Sequence, residues 1–462
     1  MRLDWPDLRS GRADALDGAE VEILGWMAPV EVADVHDYFL LTPEPICCIG
    51  CLPSDPMACL EIFAETPLPP RGRPARLVGQ LRRLVDDPAG WRYQLREARL
   101  VEESEPAVAV TRRGVIAAGA TLALAAYAGP GGAAQAQTAT AARALVDAHL
   151  TVDIHSHAGR ITNPNAPLGG VADPMREGGM SVICLAMVAD RPVTKVGADR
   201  RISAIRQPAP GELYAWSQTA FARVQILARS EKLAVVTDAA SLQAAQKNGP
   251  AVIIAAEGAD FLDTSVDRVE EAYRKYGLRH LQLTHYRVND LGDIQTETPV
   301  HDGLTDFGAE VIRACNRLGV VVDVAHGTYD LVKRAAKVTE KPLVLSHTSL
   351  TGSPRPLTRL ITSDHARVIA ETGGVIGIWP PSTVFPDLNA MAVGIARMVA
   401  VVGVDHVGLG SDMLGLTSPS VFDSYRDLPA LAQALLTVGF GADETAKILG
   451  GNYARVFAQT VG

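Results

Sequence analysis

Eight short apolar runs, LTVDIH, MSVICLAMV, PAVIIAAEG, LRHLQLTH, GVVVDVAH, KPLVLSH, GGVIGIW and HVGLGSD, recur through the last two-thirds of this chain. Stretches with a helical apolar period separate most of them, and most end at or beside a His, Asp or Glu. Eight strands with intervening helices predict an α/β fold, a closed (β/α)8 barrel of the TIM type, over residues 146–462. Strand C-termini converge on one face of such a barrel. The polar residues that close the runs are therefore expected to meet in space.

His155 and His157, in Asp153-Ile-His-Ser-His, are two residues apart at the end of the first run, so both imidazoles face the same way and can reach one metal. Glu257 closes a wholly apolar run, where an unpaired carboxylate would cost several kcal/mol and where nearby cations would compensate it. His326 follows GVVVDVA and His347 follows PLVLS, each an imidazole at the end of a buried strand. Asp412, in VGLGSD, ends the last strand, where barrel hydrolases place a carboxylate. Each of these has a bland alternative, a capping carboxylate or a hydrogen-bonded core histidine. Their succession at strand ends is what favours a metal centre.

Upstream, residues 1–105 read as short β segments between Pro- and Gly-rich turns, a small β-rich domain of OB-like size. A GW-x-x-P-x-E segment, an FLL-x-P segment and a Cys cluster resemble a bacterial family of small uncharacterised domains, a likeness that brings no activity with it. Cys47, Cys48, Cys51 and Cys59 could hold a second metal, form a redox pair or fill a core as small apolar groups. Residues 106–145 contain Thr111-Arg112-Arg113-Gly114, then an uncharged Ala/Gly-rich run over 114–136 that ends in Ala134-Gln135-Ala136. That is the pattern of a twin-arginine export signal, met more than a hundred residues into the chain. Three readings stand: an exported ancestry, membrane association through 114–136, or a plain linker, with periplasmic, membrane-anchored and cytoplasmic settings respectively.

A formal net charge of −9 and the lack of any dense Lys/Arg block argue against a nucleic-acid partner and for a small-molecule one. Apolar residues at 47% and charged residues at 21% are those of an ordinary folded α/β protein.

The barrel segments together resemble the membrane (renal-type) dipeptidases. The matching stretches are Asp153-Ile-His-Ser-His, Ala-Glu257-Gly, Leu-Thr-His285 with Asn289 and Asp293, Gly303-Leu-Thr-Asp-Phe-Gly308 and the run from Asn316 to His326. Ser346-His347, Arg359, Gly-Leu-Gly-Ser-Asp412 and Gly450-Gly-Asn-Tyr-Ala-Arg455-Val-Phe follow in order. The resemblance implies a zinc-dependent hydrolase of dipeptides or similar carboxylate-bearing amides, with two Zn2+ per barrel. It implies that His155 and His157 bind one metal, Glu257 bridges both, and His326 and His347 bind the other. It further implies that His285 contacts the scissile carbonyl, Arg359 pairs with the substrate carboxylate, and Asp412 handles protons. His280, five residues before His285, is left off this set. The family's usual first motif is His-x-Asp, so His157 replaces an anionic ligand by a neutral one. The segment from Arg191 to Trp216 reads as an elaborated loop after the second strand. A divergent amidohydrolase acting on a lactone, ester or other amide, and a degenerate metal-binding module, are the alternatives; a homodimer is left open.

Overall fold

The protein is described by a computed structural model over residues 2–29, 35–43, 59–69, 74–84, 92–101, 130–198, 200–351 and 357–462. It divides into two compact units, the first Met1–Ala141 with Thr437–Gly439 and the second Ala142–Leu436 with Phe440–Gly462. In the first unit, strands β1 (Glu20–Pro29), β2 (His36–Thr42), β3 (Leu60–Leu68), β4 (Ala75–Arg83) and β5 (Tyr93–Leu100) close into a barrel in the order β1-β2-β3-β5-β4. β3 and β5 run parallel and the other neighbours antiparallel. This is an OB-like five-stranded barrel. Alternation explains its closure: along β4, Ala75, Leu77 and Leu81 point inward to meet Val21, Ile23, Phe39, Leu60 and Leu95.

Cys59 is buried just before β3, whereas Cys47, Cys48 and Cys51 lie outside the described residues, as do the paired arginines and the apolar run as far as residue 129. Ala134-Gln135-Ala136 falls inside the helix Pro130–Ala148, which also crosses the boundary expected at 145. No helix among the described residues is long and apolar enough to cross a membrane.

The second unit is the (β/α)8 barrel. Its strands are β6 (Val152–Ser156), β7 (Val182–Val188), β8 (Ala251–Glu257), β9 (Leu278–Gln282), β10 (Val321–Asp323), β11 (Val344–Thr348), β12 (Val375–Ile378) and β13 (Val407–Leu409). Each pairs in parallel with the next, and β13 returns to β6. A two-residue strand, Ala234–Val235, adds to the start of β8. Every residue of β7 and β8 is buried, which is why these strands read as unbroken apolar runs rather than alternating ones. Side chains of Val152, Cys184, Ile253, Val321, Val344 and Val375 fill the barrel together with Tyr453 and Phe457 of the C-terminal helix Asn452–Val461.

The loops leaving the strands are anchored by helix caps. Asp238, Thr305, Thr328, Thr362 and Asp387 each accept a backbone N–H at the start of the helix that follows. The long loop after β7 holds a 3-10 turn at Arg191–Val193 and a hairpin pairing Thr194–Val196 with Ile202–Ala204. It is shorter than expected: a helix begins at Glu212, and Trp216 on it donates from Nε1 to the Val188 carbonyl at 2.9 Å.

Two glycines let three strands draw together under the site. A Cβ at Gly377 would fall 1.8 Å, and at Gly410 1.7 Å, from the carbonyl oxygen of Ser346, the residue before His347. Gly410→Ala is therefore expected to force β11 and β13 apart and to destabilise the barrel by about 3 kcal/mol in urea unfolding. A loss below about 0.5 kcal/mol would show that the strands yield freely.

Candidate metal centre

Glu257, the last residue of β8 and 2% exposed, is the point on which the site converges. Its Oε1 lies 3.4 Å from His155 Nε2, 3.3 Å from His326 Nε2 and 3.5 Å from His347 Nε2. Its Oε2 lies 3.1 Å from His157 Nε2 and 3.2 Å from His285 Nε2. Asp412 Oδ1 is 3.5 Å from His157 Nε2. None of these seven side chains belongs to a residue more than 7% exposed. The β strands explain the convergence, because all seven sit in or within three residues of the C-terminal ends of six different strands.

Hydrogen bonds at the far ring nitrogens set which atoms face inward. His157 Nδ1 donates to the Ala186 carbonyl at 2.8 Å, leaving the Nε2 lone pair directed at Glu257. His285 Nδ1 contacts Asp190 Oδ1 at 2.7 Å, and His347 Nδ1 contacts Ser346 Oγ at 2.8 Å. Pairs of Nε2 atoms then stand close together, His155 with His157 at 3.2 Å and His326 with His347 at 3.0 Å. Lone pairs gathered round a carboxylate repel one another, and a cation between them converts the repulsion into coordination. The donors fit that role in three groups: His155, His157 and Asp412; His155, Glu257 and His347; and Glu257, His285 and His326.

The electrostatics agree with that arrangement. Burial, with the Arg359 charge, holds His326 well below the usual imidazole range; burial, His155 and Arg359 do the same to His347. Both rings are thus neutral, with lone pairs free to coordinate. Burial would raise Glu257, but the histidines His285, His155 and His157 outweigh it and hold the carboxyl well below its ordinary value. Burial would lower His285, yet Asp190 and Glu257 overcome it and push the imidazole up to about 9. Asp412 is raised, by burial and by the negative charge of Glu257.

Backbone strain marks the same place. His326 and Asp412 have φ of 67° and 50°, left-handed values that non-glycine residues adopt at a cost of ~1–3 kcal/mol. A Cβ on Gly415 would fall 2.0 Å from Asp412 Oδ1 and 2.5 Å from His157 Cδ2, so the loop after β13 lies directly on both side chains. Beneath the site, Asp153 accepts from Ser411 N at 2.8 Å and Tyr425 Oη at 2.9 Å. Burial pushes that carboxyl up to about 6. His280, set aside in the sequence, is a core residue: its ring bonds Tyr453 Oη at 2.8 Å and Asp323 Oδ2 at 3.1 Å.

Arg359 lies in the loop after β11, 8% exposed. Its Nη1 donates to Gln295 Oε1 at 2.7 Å and its Nη2 to the His347 carbonyl at 3.3 Å, with the Trp379 ring 5.5 Å from the guanidinium carbon. The structure thus gathers His155, His157, Glu257, His285, His326, His347 and Asp412, with Arg359 beside His347. It also adds Asp190, Tyr286, Gln295 and Trp379. Asp190 carried a signal, an Asp two residues past an apolar strand, but Arg191-Pro192 beside it read as loop.

A family model for membrane dipeptidases (peptidase family M19) matches residues 134–461. The chain belongs to the membrane dipeptidase family. Among curated relatives, dipeptidase aclJ of Aspergillus oryzae is 31% identical over 193 residues, 40% of this chain and 46% of that protein. Dipeptidase 3 of Mus musculus is 29% identical over 239 residues, 49% of this chain and 48% of that one. The chain spans about half the length of these relatives. Among solved structures, the probable dipeptidase PvdM of Pseudomonas aeruginosa has a TM-score of 0.60 at 17% identity, covering 70% of this chain and 98% of that one. A Rhodobacter sphaeroides metallopeptidase, liganded with a phosphinate mimic of the dipeptide L-Ala-D-Ala, has a TM-score of 0.58 at 20% identity over 68% and 99%. These likenesses bear out the (β/α)8 barrel.

Two expectations follow. Glu257→Gln removes the charge on which five imidazoles converge and should reduce divalent metal, measured by elemental analysis, to background; undiminished metal would remove Glu257 from the ligand set. His365, on the helix Ser363–Glu371, is lowered by burial and by Arg359 from 6.5 to about 4. The unfolded chain then takes up this proton first, so stability is full above pH ~6.5 and falls as pH drops toward ~4. His365→Leu should remove roughly 3 kcal/mol of that acid-side loss in denaturation curves compared at the two ends of the window. Parallel curves for variant and wild type would contradict it.

Proposed function

We propose that this chain is a zinc-dependent hydrolase that cleaves the amide bond of dipeptides or similar short carboxylate-bearing amides. The observation that carries the reading is the convergence of five imidazole Nε2 atoms on the two oxygens of Glu257, with Asp412 and Arg359 alongside. His155 and His157 would hold one Zn2+, His326 and His347 a second, and Glu257 both. Zinc bound there supplies Lewis acidity, which acidifies water and polarises a carbonyl. A phosphinate mimic of a dipeptide in a solved relative of the same fold supports the substrate class.

The chain's own residues then divide the remaining work. His285, held by Asp190 and raised to about 9, is a cation at neutral pH and stabilises negative charge as it develops on the scissile carbonyl oxygen. Asp412, a buried carboxylate with an elevated pKa, takes a proton from water and returns it to the leaving amine. Arg359 presents its planar fork to the substrate carboxylate. His157 in place of an aspartate leaves the first cation site with one less negative charge, which Asp412 Oδ1, 3.5 Å from His157 Nε2, partly makes good. An exported or membrane-anchored setting is the one that Arg112-Arg113 and the run over 114–136 support.

The test is metal content of the full chain together with hydrolysis of L,L-, L,D- and D,D-dipeptides. About two zinc per chain with turnover on any of them is expected; metal-free protein without turnover would overturn the reading. Asp412→Asn should keep its metal and lose at least about a hundredfold in kcat, and near-normal rates would exclude the proton role. Arg359→Ala should mainly raise KM for substrates with a free carboxylate. An equal loss on their amides would sink the clamp.

A further inference from the structure

Tyr286 follows His285 in the loop after β9, and no step above uses it. Its backbone N–H donates to Asp190 Oδ2 at 3.1 Å while His285 Nδ1 holds Asp190 Oδ1 at 2.7 Å, so one fully buried carboxylate fixes both residues. The Tyr286 ring stands edge-on against His285 and against His326, with centroids 4.7 Å away in each case and interplanar angles of 70° and 86°. The phenol meets the side chain of Arg359 and feels the charges of Asp412 and Glu257. Its oxygen therefore lies inside the mouth of the metal centre.

Two buried donors, one on Arg359 and one on the ring beside it, lack acceptors. Arg359 gives two N–H groups to Gln295 Oε1 and the His347 carbonyl, but its buried Nε has no partner. Trp379, whose ring lies 5.5 Å from the same guanidinium, has a buried Nε1 with no partner either. A phenol turned toward a guanidinium can only accept from it, so its own proton is left for something else. Buried donors without acceptors are costly, and a cluster of them is built for an acceptor that comes from outside.

We propose that Tyr286 is a substrate-binding residue, its hydroxyl donating to the same terminal carboxylate that Arg359 receives. The identity of that ligand rests on the dipeptide reading above; the donor geometry does not. Arg359 supplies the charge and Tyr286 a fixed, neutral direction, so the pair distinguishes a carboxylate from a terminal amide. An amide turns its own N–H groups toward these donors and leaves them unpaired.

Calorimetric binding of L-Ala-D-Ala to the full chain carrying Asp412→Asn needs no turnover. Adding Tyr286→Phe, which keeps the ring and its packing, is expected to weaken that binding about tenfold and to leave binding of the C-terminal amide unchanged. In the otherwise native chain the same substitution should raise KM for the acid about tenfold with kcat nearly constant and metal content intact. Equal losses on acid and amide would place the hydroxyl at the scissile carbonyl and overturn the assignment. So would no loss on either, or no binding of the acid before Tyr286 is changed. A native chain that hydrolyses no dipeptide, yet binds the acid in a Tyr286-dependent way, would overturn the reaction and leave the carboxylate site standing.

Discussion

A carboxylate 2% exposed at the end of an apolar strand is tolerable only if positive charge or strong donors surround it, and Glu257 dictates much of what the barrel mouth contains. Five imidazoles reach its two oxygens from strand ends spread round the barrel. Each must arrive with the correct nitrogen inward. The Ala186 carbonyl, Asp190 and Ser346 Oγ enforce that by engaging Nδ1 of His157, His285 and His347. The centre is therefore preorganised by groups that never face the ligand themselves.

A second buried carboxylate layer carries the first. Asp153 ties β6 to the loop after β13 through Ser411, and Asp323 ties β10 to β11 through the backbone N–H of Ser346 at 3.1 Å. Gly377 and Gly410 let the neighbouring strands close over the Ser346 carbonyl. Registration of His155, His347 and Asp412 against Glu257 is thus a property of strand packing as much as of the side chains.

Much of this was legible in the sequence for a physical reason. Strands buried on both faces leave unbroken apolar runs, and a His, Asp or Glu at the end of such a run is conspicuous; the eight strands, the barrel and His155, His157, Glu257, His326, His347 and Asp412 are legible that way, whereas His285 and Arg359 rest on the family resemblance. Tyr286, Gln295 and Trp379 are not legible, because they belong to loops or strand ends where no periodicity constrains residue type, and their roles exist only through contacts across the mouth. Trp216 closes the stretch that reads as a loop in the sequence, whereas a helix begins as soon as Pro210 and Gly211 are passed. The OB-like barrel was read from strand length and turn density. Its closure depends on β4 returning to β1, a long-range pairing that local pattern does not encode.

That closure also limits how the small barrel can recognise anything. Among the described residues, five strands pair in a ring with β3 and β5 joined in parallel, so each strand has a neighbour on both sides for part of its length. Closure of this kind leaves little free strand edge for an extended peptide to join, one route by which β domains capture partners or aggregate. The outward faces of the paired strands are then the larger surface on offer, where side-chain chemistry counts for more than backbone pairing.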